Sequence, residues 1–475
     1  MVIGKTLSSF VRMFEEENFN TKQRSDMRTL FSFALPIFFF SAIGLSSYAA
    51  TKPFPYPIEQ HEMANGLNVV TVKFDSPGIA SFFLIVRVGS RNEVEEGVTG
   101  FAHFFEHMMF RGTEKYDKDK YNEELKAIGA SANANTSLDR TIYHMTGNAQ
   151  KLEKMFELES DRFQNLHYPI HDFKTEAGAV KGEYTKNIAS PFAQLEENIA
   201  NTAFDAHTYK HTTMGFLKDI IDMPNQYEYS LKFFNRFYRP EYTTLLVVGD
   251  VTPDQVNKLA EKYFGKWERG NYEAKIPVEP EQKAARYTHL QNGSIPPYVS
   301  LNFKGPGFNA ESMDSPSLDI LCTILFSQNS KLYQKLVLEE QKVRSIDGGI
   351  YDTRDPNLIS VDASIVNKND MQYVKDEVTK AIEVVKASGV DEKILAETKS
   401  RLKYSFAMGI DNPSSIANTL SHVIQLTGNP ESINHLYENY EKVTVEDLKT
   451  VAKKYFTAER LTIGTISADV EGGVK

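Results

Sequence analysis

One ending occurs twice along this chain, and that repetition constrains the fold more than any single motif. FYRPEYTTLLVVGDV (237–251) and YFTAERLTIGTISADV (455–470) each carry an aromatic pair, a glutamate three residues later, and then a strand. The elements before each ending follow a similar order, which predicts an internal duplication. Long helices mixed with short hairpin strands give the class: α+β, as two homologous domains, each a mixed sheet packed with helices. The first domain is expected over 50–270 and the second over 291–475. Residues 271–290, rich in Glu, Lys and Pro, read as the linker.

In the first block, LNVVTVK (67–73) and IASFFLIVRV (79–88) are β-branched and aromatic and read as strands. Helices are expected at 97–112, 118–128, 150–164, 171–202 and 225–237, with strands at 132–136 and 141–147. The second block places a strand at 298–303, a helix at 314–340 and strands within 345–365. Helices at 369–387, 391–407, 413–426 and 445–455 follow, then a strand at 460–466. Neither a GxGxxG fingerprint nor a P-loop is present, so nucleotide chemistry has no support.

With 475 residues, 41% hydrophobic and 24% charged, the chain can bury a large core. Its net charge of −10 makes a general nucleic-acid binder a poor reading. Cys322 is the one cysteine, which excludes an intramolecular disulfide and a Cys-based zinc site. Residues 29–51 carry no charge, and LFSFALPIFFFSAIGLSSYAA follows Lys22, Arg24 and Arg28. This describes a signal peptide over 1–49, cut after Ala49, and a periplasmic or secreted product. A retained anchor is the alternative, because the uncharged run nearly spans a bilayer. Export without disulfides fits a bacterial periplasm.

The chemistry lies in GFAHFFEHMMFRGT. On a helix, His103 and His107 are four apart and share a face, so both imidazoles can bind one zinc ion. Glu106 points to nearly the same side and can serve as general base for a water that the metal acidifies. As packed core residues only, these three would be buried polar groups without partners. A third ligand is still required. In KTEAGAVKGEYTKN, Glu176 and Glu183 are seven apart on one helical face. One can ligate, and the other can support the site through a ligand histidine. The order H-x-x-E-H inverts H-E-x-x-H and marks the inverzincins.

Here the chain resembles the insulinase/pitrilysin family of zinc metallopeptidases, especially its short bacterial members and mitochondrial processing peptidase. HFFEHMMFRGT resembles the family's zinc helix, and the likeness continues through GSRNE (89–93), SANANTSLDRTIYH (131–144) and SKLYQKLVLEEQKVRSIDGGIYD (330–352). The resemblance assigns Glu183, 76 residues after His107, as the third ligand and Glu176 as the accompanying acid. It implies that Arg344 and Tyr351 bind substrate and stabilise the tetrahedral intermediate. It also implies that Asn133 and Ala134 lie on an edge strand that receives a peptide by β-augmentation. Ala130 and Ser131 depart from the family pattern and put subsite preference in doubt. One zinc per chain is implied, with peptide substrates. Full-length relatives form a clamshell of four such domains, so this chain supplies half of one and pairs as a homodimer or with a related subunit. The implied activity is a periplasmic endopeptidase acting on short or unfolded peptides. A non-catalytic peptide-binding or structural subunit is the rival reading.

Overall fold

A computed structural model of the chain describes residues 52–474, so the leader expected at 1–49 lies outside the described residues. The first half runs β1 (Glu59–Glu62), β2 (Asn68–Lys73), β3 (Ile79–Val86), α1 (Phe101–Met108), α2 (Lys118–Ala127), β4 (Ser131–Thr136) and β5 (Thr141–Asn148). Then come α3 (Leu152–Asn165), α4 (Ile170–Ile188), α5 (Pro191–Ala203), α6 (Leu217–Asp222), α7 (Tyr227–Phe237), β6 (Thr243–Gly249) and α8 (Pro253–Phe264). The second half runs β7 (Arg286–Gln291), β8 (Tyr298–Lys304), α9 (Asp314–Phe326), β9 (Val343–Ile350) and β10 (Leu358–Ile365). It closes with α10 (Met371–Ser388), α11 (Glu392–Met408), α12 (Pro413–Thr427), α13 (Ser432–Lys442), α14 (Val445–Tyr455) and β11 (Leu461–Ser467).

The strands form two sheets, in the orders β1-β2-β6-β3-β5-β4 and β7-β11-β8-β10-β9. Without β1, the two orders are one topology. β2 runs parallel to β6 as β7 runs parallel to β11, and every other pairing is antiparallel in both. The hydrophobic alternation explains the layers. In β3, Phe82 and Leu84 face the helices that carry the site, while Phe83 and Ile85 face the other way.

Those opposite faces are covered by exchange. α12, from the second half, lays Ile416, Leu420, Val423 and Ile424 on Phe83, Ile85, Leu246 and Val248 of the first sheet. In return α5, from the first half, lays Leu195 and Ile199 on Ile466 of the second sheet. Each sheet is therefore closed by a helix from the other half.

Several expected elements differ in extent. The helix expected at 97–112 begins only at Phe101, because Gly97 and Gly100 hold φ of 83° and 89°, outside helical space. The helix expected at 171–202 is two helices. Ser190 is extended and Pro191 starts α5, since the residue before proline is driven from helical conformation. The helix expected at 314–340 breaks after Phe326, and the Ser330 hydroxyl accepts the Tyr333 N–H to start a new turn. β7 forms at the end of the stretch read as linker, and α13 was not foreseen. Among the described residues no helix is long and apolar enough to cross a membrane.

Candidate metal centre

α1 is anchored along its buried face. Phe101, Phe104, Phe105 and Met108 are buried, and Phe105 stacks on Phe233 of α7 with ring centroids 5.3 Å apart. The Tyr143 hydroxyl donates to the Phe105 carbonyl at 3.0 Å. At the start of the helix, the buried carboxylate of Glu93 accepts the N–H groups of Gly100 at 2.8 Å and Ala102 at 2.7 Å. These are the free donors that every helix N-terminus must satisfy. Burial pushes the Glu93 carboxyl up to about 8, although those N–H groups favour the anion. The GSRNE segment thus ends in an anchor for the helix that carries the histidines.

α4 crosses beside α1 and brings both glutamates to it. The ligand atoms of His103, His107 and Glu183 lie within 4.8 Å of one another. Tetrahedral zinc with bonds of about 2.1 Å sets its ligand atoms about 3.4 Å apart. Glu183 Oε2 lies 3.7 Å from His103 Nε2 and 3.3 Å from His107 Nε2. Two imidazoles and a carboxylate at this spacing fit a zinc ion.

Glu176 acts one layer out. His107 Nδ1 donates to Glu176 Oε1 at 2.9 Å, which leaves Nε2 facing Glu183. Arg111 donates to the other oxygen of Glu176 through Nε at 2.5 Å, and its Nη2 forms an ion pair with the same oxygen. Burial opposes ionisation of Glu176, but the hydrogen bonds from His107 and Arg111 outweigh it and hold the carboxyl below the usual range. The same hydrogen bond raises the pKa of His107. Burial lowers that of His103 and keeps it in the neutral form that binds a metal. Its Nδ1 is buried with no partner among the described residues.

Glu106 is half-buried on α1, beside His107, and both line a cavity of about 220 Å³. β4 is the free edge of the first sheet, with Asn133 exposed and Ala134 buried. The Asn133 side chain accepts the Ala134 N–H at 2.9 Å. Arg344 lies on β9, the matching edge of the second sheet. Ser345 pairs with Ser364 and Val343 with Ile365, so Arg344 is the extra residue of a β-bulge. It is exposed. Tyr351 follows β9 and packs against the first half, hydrogen-bonded to Ser137 and close to Arg140, and burial raises its pKa. Burial lowers the Arg140 pKa, while the charges of Tyr351, Glu106 and Asp139 raise it.

A polar cluster fixes the loop after Tyr351. The Asp139 carboxylate accepts the Arg354 N–H at 2.8 Å and the Tyr209 hydroxyl at 2.7 Å. Asp355 accepts Arg91 Nε at 2.6 Å and pairs with His207 Nε2 at 2.9 Å. Sequence reasoning missed Glu93, Arg111 and Arg140 as individuals, although each sits inside a segment that carried the family likeness.

The fold and this His-His-Glu cluster describe a two-domain protein with the parts of a metallopeptidase, and comparison with known proteins agrees. Residues 69–216 match the family described as "Insulinase (Peptidase family M16)" and residues 226–402 match "Peptidase M16 inactive domain". The chain belongs to the insulinase family. It is 26% identical over 433 residues to zinc protease PqqE of Helicobacter pylori, covering 88% of this chain and 95% of that one. It is 24% identical to mitochondrial-processing peptidase subunit beta of Caenorhabditis elegans, covering 86% and 88%. The crystal structure of a protease from Helicobacter pylori superposes with a TM-score of 0.81 at 26% identity, covering 87% and 99%. The periplasmic protease PqqL from Escherichia coli matches with a TM-score of 0.71 at 18% identity, and the match spans 48% of that longer chain.

Proposed function

We propose that this chain is a zinc-dependent endopeptidase. The observation that carries the reading is the ligand spacing at His103, His107 and Glu183, set by the Arg111–Glu176–His107 chain of hydrogen bonds. When bound there, a zinc ion supplies Lewis acidity and brings the pKa of water towards 7. Glu106 takes the proton of the attacking water at its carboxylate and returns it to the leaving amine nitrogen. Glu176 fixes the ring of His107. The peptide lies along β4 at Asn133 and Ala134. Arg344 and Tyr351 donate hydrogen bonds to the substrate backbone and to the oxygen where charge develops.

We place the protein in the periplasm, exported by the 1–49 leader. The periplasmic PqqL likeness supports this placement, and the names of its relatives as zinc proteases support the peptidase reading. A match spanning about half of PqqL supports pairing of this chain with a second copy or a related subunit. Exposed Arg344 on a free sheet edge is available to such an arrangement. Metal analysis and peptide-cleavage profiling of the wild type and Glu106→Gln test the reading. One zinc per chain with cleavage abolished only in the variant is expected. A metal-loaded wild type that cleaves nothing favours the non-catalytic subunit instead.

A further inference from the structure

The cavity beside the zinc helix has a charge that the hydrolytic chemistry leaves unused. It is lined by Glu106, His107, Phe110, Arg111, Lys118 and Glu176. Its volume of about 220 Å³ is far above the roughly 15 Å³ that one water needs, so a side chain fits. It opens directly beside the proposed general base. A residue flanking the cleaved bond therefore has its side chain within reach of this cavity.

The charges around it can be counted. Glu176 is matched by Arg111, which holds it through a hydrogen bond and an ion pair. Glu106 and Glu183 together would offset a divalent cation. Lys118 is left over. It is exposed and forms no ion pair among the described residues, not even with its sequence neighbours Asp117 and Asp119. The Asp117 side chain is occupied as the cap of α2, accepting the Lys120 N–H at 2.9 Å. The surrounding lysines differ: Lys115 pairs with Glu157 at 2.7 Å and Lys154 with the same carboxylate at 3.2 Å.

Lys118 is also the first residue of α2, where the helix dipole is positive and a cation is least favoured. An anion placed in the cavity would meet the ammonium. Phe110 offers an apolar surface to the methylene stem of such an anion, and Arg162 lies over its ring with the guanidinium carbon 4.8 Å from the centroid.

We propose that Lys118 makes this cavity select an acidic side chain, glutamate or aspartate, at one of the residues flanking the cleaved bond. The inference rests on the endopeptidase reading and names its substrate class: peptides acidic beside the cut. A basic side chain in the same place would meet Lys118 and Arg111 and be rejected. An exposed ion pair is worth up to about a fivefold preference, and like-charge repulsion adds a similar factor against lysine. The ratio of cleavage efficiency for glutamate over lysine should thus reach up to about 25-fold.

The test is a peptide library varied at each residue around the cut, digested by the full-length, zinc-loaded chain. Wild type, Lys118→Met and Lys118→Glu are compared at low and high salt. The expected result is an acidic preference at one flanking position, weakened by salt, lost in Lys118→Met and reversed in Lys118→Glu. Lys118→Met preserves the stem of the side chain and serves if the charge reversal disturbs folding. Cleavage with no charge preference, or a preference that survives both substitutions, overturns this inference and leaves the endopeptidase reading intact. Absence of cleavage of any peptide by the metal-loaded wild type overturns both.

Discussion

Replacing Glu176 by glutamine tests whether the outer layer of the centre sets metal affinity. The carboxylate accepts one hydrogen bond from His107 and one from Arg111, whose Nη2 also forms an ion pair with it. Glutamine keeps the shape and a single acceptor oxygen, so one of the two partners loses its anionic acceptor. Hydrogen bonds to charged groups are worth about 1.5–3 kcal/mol each. Only the part transmitted through the ring of His107 reaches the metal. Loss of such a support typically costs 10–100-fold in metal affinity, or about 1.4–2.8 kcal/mol. The assay is zinc titration against a competing chelator at about pH 8.5, where proton competition at histidine is small. Glu183→Gln, which removes a ligand atom, should weaken binding most, Glu176→Gln by 10–100-fold, and Arg111→Met least. A Glu176→Gln dissociation constant within about threefold of wild type would refute the reasoning. So would an Arg111→Met variant weaker than Glu176→Gln. The pH dependence has a definite sign. The hydrogen bond to Glu176 raises the pKa of His107, so protons displace the metal at a higher pH than an ordinary imidazole near 6.5 would allow. In Glu176→Gln that onset moves to lower pH.

Glu106→Gln should keep its zinc and lose at least about 100-fold in peptide cleavage, measured by metal content and turnover on one preparation. Leu420→Ala in α12 should cost about 2–5 kcal/mol in urea unfolding, since Leu420 is fully buried against the first sheet; a cost below about 1 kcal/mol would mean that the exchanged helix is dispensable. Burial pushes Asp319 up to about 6, against about 4 in an unfolded chain, with the Tyr440 hydroxyl at 2.8 Å partly offsetting it. A raised carboxyl means that the folded state binds the extra proton, so stability contributed by this group falls as pH rises from about 4 to about 6. Asp319→Asn should flatten that slope in unfolding midpoints measured across the interval.

The strands and the candidate metal-binding histidines were legible because their signals are local. β2, β3 and β6 are short apolar runs, and His103, Glu106 and His107 sit within one helical turn and a half. Glu183 needed the family likeness, because nothing in its own segment distinguishes it from Glu176. The missed break at Ser190–Pro191 had a local signal that the helical pattern around it masked. Arg140 and Lys118 were not legible. Their significance depends on Tyr351, 211 residues beyond Arg140, and on a cavity that exists only when α1, α2 and α4 meet. The exchanged helices could not be read either. An apolar stripe such as that of α12 shows that a helix is buried, and not which sheet it covers.

That exchange has a consequence for how the protein is made. The strands of the first sheet are complete once Gly249 has been synthesised, but the helix that covers their outer face ends at Thr427. At about 5–20 residues per second, a ribosome takes roughly 10–35 s to add the intervening segment. Throughout that interval Phe83, Ile85, Leu246 and Val248 have no native cover. The nascent chain thus carries an open apolar sheet face until its last hundred residues are under way. A chaperone or an export factor that keeps the chain unfolded meets this need, and a truncated product ending near residue 270 would be sticky rather than merely incomplete.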